Sequence, residues 1–336
     1  MKPEEELFEH HRFVADPAQG PLRVDKFLLD RLSGISRNKI QEAAKGGYIK
    51  VDGNVVKSNY KIKPEEVVTV EFPEPQREFE LIPEDIPLEI LFEDDHLIVI
   101  NKPTDMVVHP GFGNWTGTLV NALIFHFNNL PENTQHGLPR PGLIHRLDKN
   151  TSGVMVIGKT EQAMSHLSAQ FAERTSERRY DALVWGRLEE SGTIEGHIGR
   201  SYKDRKNMDV FPDGDYGKHA VTHYTPLEQL QYLTLIECKL ETGRTHQIRT
   251  HLKYRGNPLF GDGQYGGDKV LKGTNFSKYK QFVENCFRMM PHQALHAKSL
   301  GFKHPHSGEW MQFETPRPAV FEELLERWRK YVNTYK

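Results

Sequence analysis

Cysteine is scarce in this chain: 336 residues contain two, Cys238 and Cys286. Two cysteines cannot build a disulfide framework or, by themselves, a four-ligand zinc site. Long apolar runs are absent as well, and none reaches the roughly 20 residues that span a bilayer. The first residues, MKPEEELFEHHRF, lack the apolar run of a signal peptide, and their glutamates argue against an organellar transit sequence. An excess of one charge is missing too, since 44 Lys and Arg face 46 Asp and Glu for a formal net charge of −2. That excludes a uniformly basic protein but leaves room for local basic faces. There is no internal repeat and no low-complexity segment. The expectation is a cytoplasmic protein with no membrane partner, acting as a monomer.

What is present is ordinary for a folded protein: 37% apolar and 27% charged residues. The length exceeds the usual single-domain size, so two domains are expected. After an N-terminal arm over 1–20, apolar residues recur at Val24, Phe27, Leu28 and Leu32, a helical spacing. Ser36 is a good N-cap for a second short helix through Ile40, Ala43 and Ala44, stopped by Gly46-Gly47. YIKV reads as a strand, Asp52-Gly53 as a tight turn and VVTVEF as a later strand. These elements make a small domain over 21–72. Residues 73–87, PEPQREFELIPEDIP, hold four prolines and five acidic residues, which resist regular structure and predict a linker.

The larger domain, 88–336, opens with a hairpin in LEILFEDDHLIVINKP. Further strands are predicted in VMVIGK, RRYDALVWGRL, YLTLIECKL and ALHAKSLGF, with helices over 118–127, 160–173 and 245–254. The tail places Phe321, Leu324, Leu325, Trp328 and Tyr331 at helical spacing. Many strands with few intervening helices predict an α+β domain around a mostly antiparallel mixed sheet.

The chemistry-bearing stretch is GLIHRLDKNTSG, residues 142–153. His145, Arg146 and Asp148 lie within four positions, between an apolar pair and a turn signal. Read alone, an Asp paired with an Arg is a common structural contact. A metal site wants three or more ligands at recognisable spacing, and the 17 histidines are scattered without an H-E-x-x-H frame. Ser152 lacks the G-x-S-x-G elbow of a serine hydrolase. Extended backbone puts Arg146 and Asp148 on one face but not in contact, so Arg146 is not expected to be the partner of Asp148. In the small domain, Arg23, Lys26, Arg37, Lys39 and Lys45 cluster on the two short helices, where basic side chains can meet phosphates. On charge alone a solvated surface is the better reading.

The order of motifs adds a resemblance. LRVDKFL followed by SRNKIQEAAKGGYIKVDG resembles the S4-like RNA-binding domain over about 21–72, which implies recognition of structured RNA by shape and phosphate contacts. INKPTDMVVHPG, HRLDKNTSG, RRYDALVWGRL, ETGRTHQIRTHL and GNPLFGDGQYGG, in that order, resemble the RluA-type pseudouridine synthases over nearly all of 88–315. A preceding S4-like domain is the arrangement of the RluD-like branch, which modifies large-subunit ribosomal RNA. The resemblance implies that Asp148 is the catalytic carboxylate, attacking the nucleotide or removing a sugar proton. It implies Arg249 as the ion-pair partner that favours the charged form of Asp148. Tyr180 is implied to lie against the uracil ring. Arg146 is implied to fill the space of the flipped nucleotide. His145, Arg244 and His246 are candidate substrate-side residues, with His145 read as structural or substrate-facing rather than as a base. Isomerisation of this kind needs no cofactor and no metal. One departure is Asp105 in KPTDMVVHP, where the family usually has glycine; Asp tolerates a left-handed backbone better than most residues.

The expected function is therefore an RNA pseudouridine synthase acting on ribosomal RNA, with transfer RNA as the other substrate to weigh. A catalytically silent RNA-binding ribosome-assembly factor is the main competitor, and a metal-dependent RNA hydrolase stands behind it. Chelator-sensitive cleavage would mark the hydrolase.

Overall fold

The computed structural model describes residues 7–18, 20–32, 35–73, 81–111, 113–127, 130–131, 140–204 and 206–334. They fall into two compact units, a small one built chiefly from the first 81 residues and a large one built chiefly from residue 82 onward.

The small unit contains β1 (Phe8–Val14), β2 (Leu22–Arg23), α1 (Val24–Arg31), α2 (Arg37–Lys45), β3 (Ile49–Val51), β4 (Asn54–Val55), β5 (Lys61–Ile62) and β6 (Val67–Phe72). Its main sheet has the order β1-β6-β3-β4, so residues expected to form an arm instead supply an edge strand, antiparallel to β6. The expected helices are there. The Ser36 hydroxyl accepts the Lys39 N–H at 3.4 Å as the N-cap of α2. Val24, Phe27 and Leu28 of α1 and Ile40 and Ala44 of α2 bury their sides against Ile49, Val51, Val68 and Val70 of the sheet. The β3–β4 turn is built on Asp52 and Gly53, both left-handed with φ of 47° and 78°.

The large unit contains β7 (Glu89–Glu93), β8 (Leu97–Lys102), α3 (Leu119–His126), β9 (Ser152–Gly158), α4 (Glu161–Glu173), β10 (Glu177–Trp185), β11 (Gly192–Arg200), β12 (Met208–Phe211), β13 (Lys218–Leu230), β14 (Leu233–Leu240), α5 (Gln247–Tyr254), α6 (Ser277–Met289), β15 (Leu295–Lys303), β16 (Trp310–Glu314) and α7 (Ala319–Thr334). Among the described residues the sheet runs β12-β11-β13-β14-β10-β15-β9-β8-β7, with β16 added beside β15. Each pair is antiparallel except β9 with β15. This is the expected mostly antiparallel mixed sheet in an α+β domain.

Sequence reading assigns no element to β11, β12, β13, β16 or α6. In α6 the apolar residues Tyr279, Val283 and Cys286 do recur at helical spacing and are buried. Part of the expected linker behaves differently as well. Residues 74–80 lie outside the described residues, but Ile82 and Glu84 are pinned to the start of α3. Asn121 donates to the Ile82 carbonyl at 2.8 Å and accepts from the Glu84 N–H through its own carbonyl at 3.0 Å, while the Glu84 carboxylate takes the Gly117 N–H at 2.9 Å. Proline prevents regular structure there without preventing extended chain from satisfying a helix terminus.

The alternation of β10 separates two cores. Tyr180, Ala182 and Val184 face a cluster that includes Met106, Leu147, Ile157, Ile248 and Leu252. Leu183 and Trp185 face the other side, covered by α6 and α7 through Val283, Leu324 and Trp328. The first face carries the polar site. The loop carrying Asp148 enters it just before β9, and its geometry depends on Gly153. That residue has φ +118°, and a Cβ there would sit 2.1 Å from the Ala297 carbonyl oxygen across the parallel β9–β15 contact. Gly153→Ala is expected to destabilise the protein by about 3 kcal/mol or more, combining strain with a backbone collision. Gly256→Ala, at φ +89° with open space around it, should lose only about 1–2 kcal/mol. Urea unfolding of the two variants checks this, and equal losses would show that backbone conformation alone matters at Gly153.

Candidate active site

Arg249 is the centre of the site. It sits in the first turn of α5, nearly buried, with side-chain exposure of 7%. Its Nη1 donates to Asp148 Oδ2 at 3.0 Å. The other edge forms a fork on Asp262, with Nε to Oδ2 at 2.7 Å and Nη2 to Oδ1 at 2.8 Å. Nη2 also reaches Gln264 Oε1 at 3.0 Å. The guanidinium lies 4.8 Å from the centre of the Tyr265 ring. Burial alone lowers the pKa of Arg249, but Asp262 and then Asp148 outweigh it and raise it. Asp262 therefore holds the guanidinium in one orientation, and Asp148 keeps one-fifth of its side chain exposed.

Helix α5 is aimed by Gln247. Its Oε1 accepts from Thr242 Oγ1 at 2.8 Å and from the Arg244 N–H at 3.0 Å. Its amide nitrogen donates to the Val221 carbonyl at 2.9 Å and to Thr222 Oγ1 at 3.0 Å. Every hydrogen-bonding position of this buried amide is used, so loop 242–246 is locked to β13. His246 precedes the helix with a left-handed φ of 54°. Its Nδ1 hydrogen-bonds the Tyr265 hydroxyl at 2.8 Å, while Nε2 stands 3.8 Å from Asp148 Oδ1. Burial lowers the imidazole pKa and favours the neutral ring, against the opposing pull of Asp148. Arg244 donates from Nε to the His219 carbonyl at 3.0 Å.

Tyr180 is buried in the core face below this network, and no hydrogen bond engages its hydroxyl among the described residues. Burial raises its pKa, and the Asp148 charge raises it further while Arg178 opposes. Arg146 is exposed, with no hydrogen bond or ion pair holding it among the described residues. His145 has a different position. Its Nε2 accepts the Val156 N–H at 3.1 Å and its ring stacks on Phe171 at 4.7 Å. Burial, with the Arg178 charge adding to it, pushes its pKa down to about 3, so the ring is a neutral brace under the loop.

Sequence reasoning missed Lys102, Asp262, Gln264 and Tyr265. Lys102 is fully buried, and its ammonium donates to the carbonyls of Pro103, Met106 and Lys149 at 2.7, 2.8 and 3.1 Å. Three acceptors match its three N–H donors and tie the KPTD loop to the residue after Asp148. Burial pulls its pKa down to about 7, with Asp148 and then Asp105 opposing. Asp105 takes the left-handed conformation expected of it, φ 63°, and pairs with Lys149 at 3.2 Å. The signal for the others was the polar pattern inside GDGQYGG. Both cysteines are buried free thiols whose pKa burial raises, so neither is a reactive nucleophile. Among the described residues no group of three His, Cys, Asp or Glu side chains is placed to hold a metal ion.

Comparison with known proteins finds relatives for both parts of the chain. The family profile for RNA pseudouridylate synthases matches residues 96–254, and the profile for the S4 domain matches 22–68. A Chlorobaculum parvum protein named as an uncharacterized RNA pseudouridine synthase is 46% identical over 93% of this chain and 95% of its own. The chain belongs to the RNA pseudouridylate synthase family. The ribosomal large subunit pseudouridine synthase D of Vibrio vulnificus is 41% identical over 92% of this chain and 91% of its own. The solved structure of human RNA pseudouridylate synthase domain containing 4 matches with a TM-score of 0.51 at 25% identity, covering 72% of this chain and 93% of that one. The protein is thus an RNA pseudouridine synthase, an isomerase, preceded by an S4 domain.

In that S4 domain, two of the five basic residues singled out above are engaged internally. Asp25 is fully buried and accepts from Arg23 at 2.9–3.1 Å, from Arg37 at 2.9–3.0 Å and from Gln41 at 2.9 Å. Burial works against its charge, but those donors outweigh burial and hold its pKa at about 2. Lys26, Lys39 and Lys45 are exposed.

Proposed function

We propose that this synthase converts uridines of large-subunit ribosomal RNA to pseudouridine, with Asp148 as the catalytic carboxylate. The observation that carries the reading is the carboxylate itself: Arg249 holds one oxygen at 3.0 Å, the other has no hydrogen bond among the described residues, and the side chain is one-fifth exposed. Isomerisation requires the glycosidic bond at C1′ to break, the base to turn, and a new bond to form at C5, with no net water or redox change. A fixed anion can drive the first step by attack on the nucleotide or by removal of a sugar proton. Tyr180 offers a ring for the uracil to lie against, and its burial keeps the hydroxyl protonated. Arg146, exposed and held by no carboxylate among the described residues, enters the stack vacated by the flipped nucleotide. His246 and Arg244 line the approach, and His145 supports the loop from behind. Ribosomal RNA as substrate is supported by relatives named as ribosomal large subunit pseudouridine synthase D and by the S4 domain. On this reading the protein works in the cytoplasm, as a monomer.

The test is to incubate purified protein with unmodified 23S ribosomal RNA and with unmodified transfer RNA, then map pseudouridine in each. Formation only in transfer RNA would overturn the substrate assignment. RNA bound without conversion would favour the assembly-factor reading.

The S4 domain contributes phosphate contacts through Lys26, Lys39 and Lys45. Changing all three to Ala is expected to weaken binding to a ribosomal RNA fragment. The same change should flatten its salt dependence by about 2 in slope, since each phosphate that a lysine neutralises adds roughly 0.7–0.9. Asp25 and its arginines are untouched, so the fold should persist. Titrations at several salt concentrations check this, and an unchanged slope would remove the lysines from the interface.

A further inference from the structure

We infer that Tyr202, with Phe211 and Tyr216 behind it, is a stacking platform for an unpaired nucleotide of the RNA strand next to the reacting uridine. The inference rests on the RNA reading above and names a contact outside the catalytic network. The three rings pack on one another at centroid distances of 5.0–5.3 Å, around the terminal strand β12. Tyr202 is the outermost, 74% exposed. A single exposed aromatic is ordinary, whereas three rings assembled on a sheet edge present an apolar face that no other described residue covers.

The platform is built rather than incidental. Gly199 lets Tyr216 lie directly on β11, since a Cβ there would meet the ring at 2.6 Å. The Tyr202 loop is braced at each end. The Ser201 N–H donates to the Asn207 carbonyl at 3.0 Å, Gln264 donates to the Lys206 carbonyl at 3.0 Å, and the Met208 N–H donates to the Tyr265 hydroxyl at 3.1 Å. Gln264 and Tyr265 are the residues that hold Arg249 and His246, so the same contacts fix the loop and the active site.

Between β12 and α5 runs a groove of about 330 Å³, lined among others by Tyr202, Lys203, Phe211, Thr250, Lys253 and Tyr254. Lys253 lies 5.5 Å from the ring of Tyr265, which also neighbours the Arg249 guanidinium at 4.8 Å, so the groove lies near the site. Its aromatic faces suit a base and its two lysines suit the backbone phosphates. The carboxylates nearby are accounted for on this side. Asp204 accepts from the Lys206 N–H, and Asp209 faces Lys253 at 3.8 Å. Asp213 and Asp215 are exposed residues of the turn before Tyr216. Flipping the target uridine also distorts the strand on either side of it, and a neighbouring base that unstacks is the ligand this surface fits.

The experiment uses the full-length protein and unmodified 23S ribosomal RNA transcript, comparing wild type with Tyr202→Ala, Tyr202→Leu and Tyr202→Trp. Ala and Leu should each raise KM on the order of tenfold with kcat within about twofold, and Trp should restore KM. The Tyr202→Trp variant adds a fifth indole to the four of wild type, and its emission in excess of wild type should be quenched by RNA. Leu behaving like wild type would replace stacking by mere apolar contact and overturn the inference. So would unchanged KM in all variants, as expected if the face instead receives a protein, and so would a fall in kcat together with melting temperature. Wild-type turnover alongside unaffected variants rejects the platform alone. No turnover by wild type rejects the RNA-isomerase reading and the platform with it.

Discussion

Asp148→Asn should reduce uridine isomerisation by at least about 10³-fold while RNA affinity stays within a few-fold of wild type. The replacement keeps the shape of the side chain and can still accept the Arg249 Nη1–H, now made at 3.0 Å to Oδ2. It removes the negative charge that either route to bond cleavage requires. Folding should be almost unaffected, because Arg249 retains its fork on Asp262. Single-turnover conversion measured with enzyme in excess separates chemistry from binding. Residual turnover within tenfold of wild type would reject Asp148 as the reacting group, and the His246 imidazole, 3.8 Å away, would be the next residue to test.

Arg249→Lys should be nearly as damaging, although it preserves the charge. The guanidinium serves Asp148, Asp262 and Gln264 from separate N–H groups set in one plane. An ammonium is a point donor on a flexible stem and cannot hold both carboxylates in register. Asp262, 1% exposed, then keeps its charge with a poorer partner. The expected loss is about 3 kcal/mol of stability, the lower end of what breaking a buried pair costs, and on the order of 10² in kcat from misplacement of Asp148. Measuring kcat at a temperature where the variant is fully folded distinguishes the two effects. A stability loss with wild-type kcat would mean that Arg249 is a structural ion pair only.

The sequence by itself determined the order of the domains and much of the small unit. Its helix spacing, the Ser36 cap and the left-handed Asp52-Gly53 turn are all local features, set by the residues that form them. The motifs around Asp148, Tyr180 and Arg249 were long enough to carry a family resemblance. What only the tertiary structure decided is which polar groups meet. Arg249 is 101 residues from Asp148, and Lys102 is 47 from the Lys149 carbonyl it holds. No periodicity along the chain encodes such pairs. Arg23 and Arg37 look like the lysines around them until Asp25 is seen buried between them. His145 and His246 carry the same side chain, yet one accepts a backbone amide beneath the loop and the other faces the carboxylate. A buried polar group must find a partner wherever packing brings one, and that choice is made by the fold rather than by sequence neighbours.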